Sequence, residues 1–222
     1  MEANRNGVPK PENEVVRDYR PGSDDKRRLK EAIRISLAHP VEIPLVIGGR
    51  SVQTGRKKDI RCPHDLGAVL GTYHTAGREE AMAAVDAARA AKNGWEKTAW
   101  TDRAAIFLKA ADLLTGRYRH EMVAATMLGQ SKNVFQAEID AACELADYLR
   151  FNASYMSRIY ADQPEHQAPG SWTRLDYRSL DGFVFAITPF NFTAIGGNLP
   201  TAPAMMGNTV VWKPASTAVL SS

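Results

Sequence analysis

Asn191 is the residue whose type and place best suit it to stabilise negative charge during a reaction. It lies in the segment TPFNF at residues 188–192, which continues the apolar run GFVFAITPF. That run is typical of a strand buried on both faces of a parallel sheet, and open α/β sheets bind ligands at the carboxyl ends of their strands. An asparagine amide there could donate hydrogen bonds to a developing oxyanion. On spacing alone, the favoured alternative is a turn asparagine that caps the following helix.

Lys213 is the second candidate, because it ends the apolar run NTVVW and precedes Pro214. A cation at a strand end could meet ribose hydroxyls or a phosphate, and the favoured alternative on spacing is a solvated lysine.

The five histidines have no metal-ligand spacing, so we predict no metal site. Cys62 and Cys143 are far apart, which excludes a disulfide framework and a CxxC motif and favours a reducing compartment.

The elements that must position these residues follow from periodicity. GFVFAITPF, the small-residue stretch NFTAIGGNLPTAPAMMG and NTVVWKP predict a strand, a closely packed helix and a parallel strand, which together form one βαβ unit. Upstream, IPLVIGGRSVQT predicts a hairpin, and two more extended segments flank a turn at residues 64–67. The 3.6-residue period predicts helices at residues 26–37, 78–94, 101–116, 119–128 and 132–160.

These patterns divide an α/β chain into four parts. Residues 1–40 form a polar arm, residues 41–170 hold hairpins and helices, residues 171–181 form a polar strand pair or flap, and residues 182–222 begin the parallel sheet. ASTAVLSS at the end of the sequence predicts the start of another helix. Since two parallel strands cannot cover both of their faces, we expect the nucleotide-binding domain to continue beyond residue 222.

Composition excludes several classes of protein. With 44% hydrophobic and 24% charged residues, the chain is typical of a soluble globular protein. The net charge is only +3 and basic residues alternate with acids, so we expect neither a nucleic-acid nor a membrane partner. The apolar runs are too short to span a bilayer, and the N-terminal sequence contains no apolar signal segment. The predicted location is the cytosol.

Several stretches of the sequence resemble a known enzyme family. The stretch GFVFAITPFNFTAIGGNLPTAPAMMGNTVVWKPA resembles the aldehyde dehydrogenase superfamily. GQSKNVFQAEIDAA and PFNFTAIGGNL resemble, within it, the subfamily of 1-pyrroline-5-carboxylate dehydrogenases, and the likeness extends over nearly everything after residue 41. The resemblance implies an incomplete Rossmann-like NAD-binding domain, preceded by an N-terminal arm and hairpin, a helical segment and an oligomerisation flap.

The resemblance also implies a reaction, the NAD-dependent oxidation of L-glutamate γ-semialdehyde to L-glutamate in proline degradation. A cysteine thiolate attacks the aldehyde, hydride passes to the nicotinamide, and a glutamate activates water to hydrolyse the thioester. By resemblance Asn191 donates to the oxyanion, Thr188 lies beside the dinucleotide through its backbone, and Lys213 holds the adenosine ribose. Glu144 matches a glutamate near the substrate entrance, and the alternative is a solvent-facing helix acid. The implied partners are a small aldehyde and further copies of the enzyme.

The sequence also departs from the family pattern. The nucleophilic cysteine and hydrolytic glutamate of such enzymes belong to segments beyond residue 222, and we predict packing roles for Cys62 and Cys143. Ala215 and Ser216 follow Lys213-Pro214 where many relatives have an acid that binds ribose, which weakens the prediction of NAD over NADP. The chain alone is therefore predicted to be inactive. An alternative is a catalytically dead short homologue that binds a full-length dehydrogenase through the flap, and another is a segment of a bifunctional proline-oxidising protein.

Overall fold

The computed structural model describes residues 7–222, in which helices predominate over strands. The α-helices are α1 (Asp24–Ala38), α2 (Arg78–Lys97), α3 (Trp100–Thr115), α4 (Arg119–Gln130), α5 (Val134–Ala137), α6 (Leu145–Ala161) and α7 (Thr193–Met205), and a π-helical segment (Glu138–Glu144) joins α5 to α6. The strands are β1 (Val41–Ile43), β2 (Leu45–Ile47), β3 (Arg50–Val52), β4 (Lys57–Cys62), β5 (Asp65–His74), β6 (Val184–Ile187) and β7 (Val210–Lys213).

The predicted hairpin is confirmed as the antiparallel pair β2–β3. Gly48 and Gly49 connect its strands with φ values of 57° and 76°, which only glycine adopts without strain and which suit the twist of a tight hairpin. The next two extended segments pair as β4 and β5, but their turn lies at residues 63–64. The predicted turn at residues 64–67 was thus wrong by about two positions, because Asp65 already belongs to β5.

A close backbone approach joins β5 to β1, its parallel neighbour. A Cβ atom at Gly71 would lie 2.2 Å from the carbonyl oxygen of Val41, so this position requires glycine. The resulting sheet has the order β1-β5-β4. Its inner face packs Ile60 and Leu70 against Leu128 of α4, which attaches the sheet to the helices.

The predicted helix over residues 132–160 is interrupted. Asn133 caps α5 by accepting a hydrogen bond from the Gln136 amide, and the π-helical segment then buries five of its seven residues before α6 resumes the α-helical period. Tyr155 and Ile159 continue the apolar 3.6-residue spacing on which this helix was predicted, yet they are 50% and 43% exposed. The wider π turn shifts every later side chain around the helix axis, which an uninterrupted 3.6-residue period does not anticipate.

The predicted βαβ unit is confirmed. β6 and β7 are parallel, with Ile187 opposite Lys213, and α7 connects them. Within residues 7–222 its first strand is covered on one face only, since Phe185 and Ile187 are more than half exposed whereas Ala186 is buried, and the predicted burial of both faces is not seen in this part of the sheet. This sheet has only two strands within residues 7–222, and the exposure of Phe185 and Ile187 shows that one face of β6 has no covering layer there.

Two further alternatives for local structure fail. Residues 171–181 form no strand pair, which leaves the flap, and no strand forms between residues 162 and 183 of the described chain; instead the Gln163 and Gln167 side chains bond the backbone of Leu175 and Thr173. The last eight residues form turns in place of a predicted helix. Val219 and Leu220 there pack onto the cluster around β4 and β5, so tertiary contact determines the path of this segment.

The N-terminal arm packs against the helices. Asn13 and the backbone amide of Glu14 donate to Asp147, and the Tyr19 hydroxyl donates to Glu138 at 2.6 Å. Residues 1–6 of the predicted arm lie outside the described residues. None of the helices described here combines the length and apolarity that crossing a bilayer requires.

Candidate active site

The register of β6 and β7 brings two of the predicted site residues together. The amide of Thr188, just after β6, donates to the carbonyl of Lys213 at 3.3 Å. The Trp212 indole donates to the Thr188 hydroxyl at 3.0 Å, and Thr188 is only 4% exposed. The Thr188 side chain therefore stabilises the strand end, and both residues lie at the carboxyl edge of the sheet, where ligands bind in open α/β folds.

Lys213 presents an available cation at this edge. Its ammonium group is exposed and donates to the carbonyl of Pro214 at 3.2 Å, and no carboxylate of the described residues forms an ion pair with it. An unpaired ammonium can donate to ribose hydroxyls or bind a phosphate. Lys213 is therefore free to meet the adenosine half of a dinucleotide, and this role stays a prediction.

Asn191 is exposed in the loop between β6 and α7. Its side chain makes no hydrogen bond to the described part of the chain, so both amide N–H groups can serve a ligand. The capping alternative is wrong, because Phe192 occupies the N-cap position and its side chain caps nothing. The free donor at a strand end suits the role of an oxyanion donor.

Asp140 supplies the missing cap from the π-helical segment. Its two carboxylate oxygens accept from the amides of Thr193 and Ala194, each at 2.9 Å. Lys132 pairs with the same carboxylate at 2.6 Å and stands 4.3 Å from the centre of the Phe192 ring. Sequence reasoning missed Asp140; the one available signal was an acid three residues after Ala137, at helical spacing within the predicted helix over residues 132–160.

Thr193 anchors the start of α7 a second time. Its hydroxyl lies 2.9 Å from that of Thr126 on α4, accepts from Gln130 at 2.8 Å and lies 3.1 Å from the hydroxyl of Ser221. Thr193 and Thr126 are buried, so hydrogen bonds within this network take the place of the bonds that each hydroxyl would make to water. The loop that carries Asn191 thus ends at a buried, hydrogen-bonded junction.

Glu144 closes the π-helical segment and is partly exposed. Burial and the negative charge of Asp140 raise the pKa of its carboxyl group, whereas Lys132 opposes the shift. Glu144 therefore lies within electrostatic range of the pair that holds the start of α7. This environment differs from that of a fully solvated helix acid, and the entrance role remains a prediction.

Neither cysteine is available as a nucleophile. Cys62 and Cys143 are 1% and 4% exposed, in accord with the predicted packing roles. Burial and the charge of Glu138 raise the pKa of the Cys143 thiol to about 12, which suppresses its reactive thiolate form. Across residues 7–222, no three His, Cys, Asp or Glu side chains gather as metal ligands do.

Comparison with known proteins identifies the family of the chain. The model of the aldehyde dehydrogenase family matches residues 51–222. The chain is 51% identical to a delta-1-pyrroline-5-carboxylate dehydrogenase of Agaricus bisporus over 97% of its length and 40% of the relative's. It is 45% identical to the mitochondrial enzyme of that name from Homo sapiens, over 95% of this chain and 37% of the relative.

A solved structure of an enzyme of the same name is also similar to this chain. The delta-pyrroline-5-carboxylate dehydrogenase of Mycobacterium tuberculosis bound with NAD superposes with a TM-score of 0.95 at 52% identity, covering all of this chain and 41% of the other. The chain thus spans about two fifths of the length of these relatives. The family match extends from β3 through the βαβ unit that carries Asn191 and Lys213, and the chain belongs to the aldehyde dehydrogenase family.

Proposed function

We propose that this chain forms the N-terminal part of an NAD-dependent dehydrogenase that oxidises L-glutamate γ-semialdehyde to L-glutamate in proline degradation. The observation that carries the proposal is the Asn191 amide in the loop after β6, which makes no hydrogen bond within residues 7–222, together with the Lys213 cation at the end of the neighbouring strand β7. The names of the relatives support the choice of substrate, since each is a pyrroline-5-carboxylate dehydrogenase.

In this proposal Asn191 stabilises the transition state. Attack of a thiolate on the aldehyde carbon places negative charge on the carbonyl oxygen, and the Asn191 N–H group donates to that oxygen. The thiolate comes from polypeptide other than these residues, because Cys62 and Cys143 are buried, and the family resemblance implies the same for the glutamate that activates water. The 222 residues alone would accordingly show no turnover.

NAD is the proposed cofactor, and when bound it accepts the hydride of the substrate. Lys213 would hold the adenosine ribose, and the backbone at Thr188 would line the dinucleotide site. The likeness to structures bound with NAD favours NAD over NADP. Ala215 and Ser216 offer no carboxylate to bind the ribose, so discrimination between NAD and NADP would depend on other residues.

The remaining proposals concern substrate entry and assembly. Glu144 would line the entrance for the small aldehyde, where its partly desolvated carboxyl group could meet the substrate's ammonium group. We also propose a homo-oligomer that uses the flap at residues 171–181, in which Trp172 is 78% exposed. The cytosol remains our proposed location, on the ground that both cysteines are free thiols.

The decisive experiment measures NADH formation from L-glutamate γ-semialdehyde by a full-length dehydrogenase that carries this segment. We expect Asn191→Ala to lower kcat by about 100- to 1000-fold, the usual effect of removing one oxyanion donor. A wild-type enzyme that oxidised other aldehydes but not the semialdehyde would refute the substrate. If the 222-residue chain instead bound a separate dehydrogenase in stoichiometric amounts, the non-catalytic alternative would be favoured.

A further inference from the structure

We propose that Asp140, together with Lys132, is a positioning residue that orients Asn191 by fixing the backbone at the start of α7. The proposal rests on the proposed catalytic function of Asn191. Asp140 is not in the Asn191 loop, since it belongs to the π-helical segment some fifty residues earlier in the chain. Its role is therefore a consequence of tertiary packing.

The contacts of Asp140 leave it little freedom. Oδ2 accepts from the Thr193 amide at 2.9 Å and from the Lys132 ammonium at 2.6 Å, while Oδ1 accepts from the Ala194 amide at 2.9 Å. The residue is 2% exposed, so water does not compete for these bonds. Charge-assisted hydrogen bonds in such surroundings are short and strong.

The start of α7 needs this carboxylate. The first amides of a helix have no intrahelical acceptor, and Phe192 at the N-cap has no polar side chain to provide one. Asp140 satisfies two of these amides, and its negative charge also complements the positive end of the helix dipole. Without it, the first turn of α7 could unwind toward the loop.

Asn191 is connected to these contacts by a short path. Thr193 is only two residues later, and the intervening Phe192 is held against the Lys132 ammonium at 4.3 Å. Residues 192–194 are thus each contacted by Asp140 or Lys132. Since the Asn191 side chain makes no hydrogen bond within residues 7–222, its orientation depends on the backbone that these contacts hold.

The first test is Asp140→Asn in the full-length dehydrogenase that carries this segment. An asparagine would offer one amide oxygen and direct an NH₂ group at a backbone donor, so the cap would be partly lost. We expect kcat to fall by about 10- to 100-fold, as displacement of a reacting group by about 1 Å does, while the KM for NAD changes less than about twofold. The matched control is Asp25→Asn, which removes a paired carboxylate whose partners are Arg17 and His120.

A double-mutant cycle with Asn191→Ala separates positioning from general stability. If Asp140 acts through Asn191, the Asp140→Asn change will cost less than about twofold in kcat in an enzyme that already has alanine at position 191. Equal losses in both backgrounds would overturn the proposal. Should Asp140→Asn fail to fold, the same cycle with Lys132→Met decides, because that change removes the cation that holds both Asp140 and Phe192. We expect it to lower kcat in the wild-type background and to cost less than about twofold beside Asn191→Ala, and equal losses of kcat would again overturn the proposal.

Hydrogen exchange gives a readout that does not depend on activity. We expect the peptide that contains residues 192–196 to lose protection in Asp140→Asn and to keep it in Asp25→Asn. Unchanged protection would overturn the anchoring role even if activity fell. A wild-type enzyme that reduced no NAD with the semialdehyde would refute the proposed function, whereas lost protection in that case would still support the anchor at α7.

Discussion

Asn191 and Lys213 illustrate what a residue's surroundings add to its type. On spacing, a capping asparagine and a solvated lysine were the favoured alternatives. Tertiary structure removes the first, because the carboxylate of Asp140 already caps α7. Lys213 is solvated but has no ion-pair partner in residues 7–222, so its charge can serve a ligand. Their catalytic and cofactor-binding roles stay predictions.

Substitution of Lys213 tests whether this residue binds the cofactor. We expect Lys213→Met in the full-length dehydrogenase to raise the Kd for NAD by about 10- to 100-fold, since a hydrogen bond to a charged group contributes about 1.5–3 kcal/mol. The KM for the aldehyde should change little. Fluorescence titration of NAD measures the Kd, and Lys109→Met on the exposed surface of α3 is the control. Equal affinities for NAD in the two variants would exclude the proposed contact.

At the scale of elements, Arg103 joins two helix ends. It lies on α3 and is 3% exposed, and its guanidinium donates to the carbonyls of Glu96 and Thr98 at the end of α2 and of Met205 at the end of α7. A further bond at 3.0 Å reaches the hydroxyl of Tyr160. The last carbonyls of a helix lack intrahelical donors, so this one side chain satisfies two termini.

Removal of Arg103 should therefore destabilise the fold. We expect Arg103→Met to lower the free energy of unfolding by about 3 kcal/mol, because buried carbonyl groups lose their donors. Urea denaturation measures the change. Arg34→Met is the control, since Arg34 pairs with Glu31 on the exposed face of α1 and such pairs contribute less than about 1 kcal/mol. Equal losses of unfolding free energy in Arg103→Met and Arg34→Met would contradict the capping role of Arg103.

Across the whole molecule, the N-terminal arm docks onto the helices through ion pairs. Glu14 accepts from Arg119 and Arg150, each at 2.7 Å, and so joins the arm to α4 and α6. Arg119 also pairs with Glu138, and both of these side chains are completely buried. A buried charge that lost its partner would be strongly destabilising, so the arm and the helical body depend on each other.

The docking predicts a pH dependence of stability. Burial raises the pKa of Glu14, but the hydrogen bonds and charges of Arg150 and Arg119 outweigh burial and hold the pKa below its usual value. The stabilisation is therefore fully present above the unfolded pKa of about 4.3 and is lost as the pH falls through the lower folded pKa. Glu14→Gln should be less stable than the wild type at pH 7.

The measurement is urea denaturation at pH 7 and at pH values below about 4. We expect the difference between wild type and Glu14→Gln to shrink as the pH falls, because the protonated glutamate resembles glutamine. Other carboxyl groups titrate in the same range, among them Asp25 beside Arg17, so the difference between the variants carries the test. A difference that stayed constant with pH would show that the Glu14 charge is not the source of the stabilisation.

The sequence by itself determined those features that depend on local pattern. The hairpin follows from its glycine pair, the helices from their 3.6-residue period, and the βαβ unit from two apolar runs around a small-residue helix. Because the family motifs lie within that unit, the placement of Asn191, Thr188 and Lys213 near its carboxyl edge could also be predicted. Glu144 was found through resemblance alone.

Only the tertiary structure decided the rest, since it depends on residues distant in sequence. The π-helical segment, the Asp140 cap of α7, the Arg103 bridge and the arm's ion pairs all satisfy buried polar groups with partners from other elements. The exposed face of β6 likewise depends on which layers cover the sheet. Hydrophobic periodicity reports which side of an element is apolar, but it carries no information on which buried charge meets which donor.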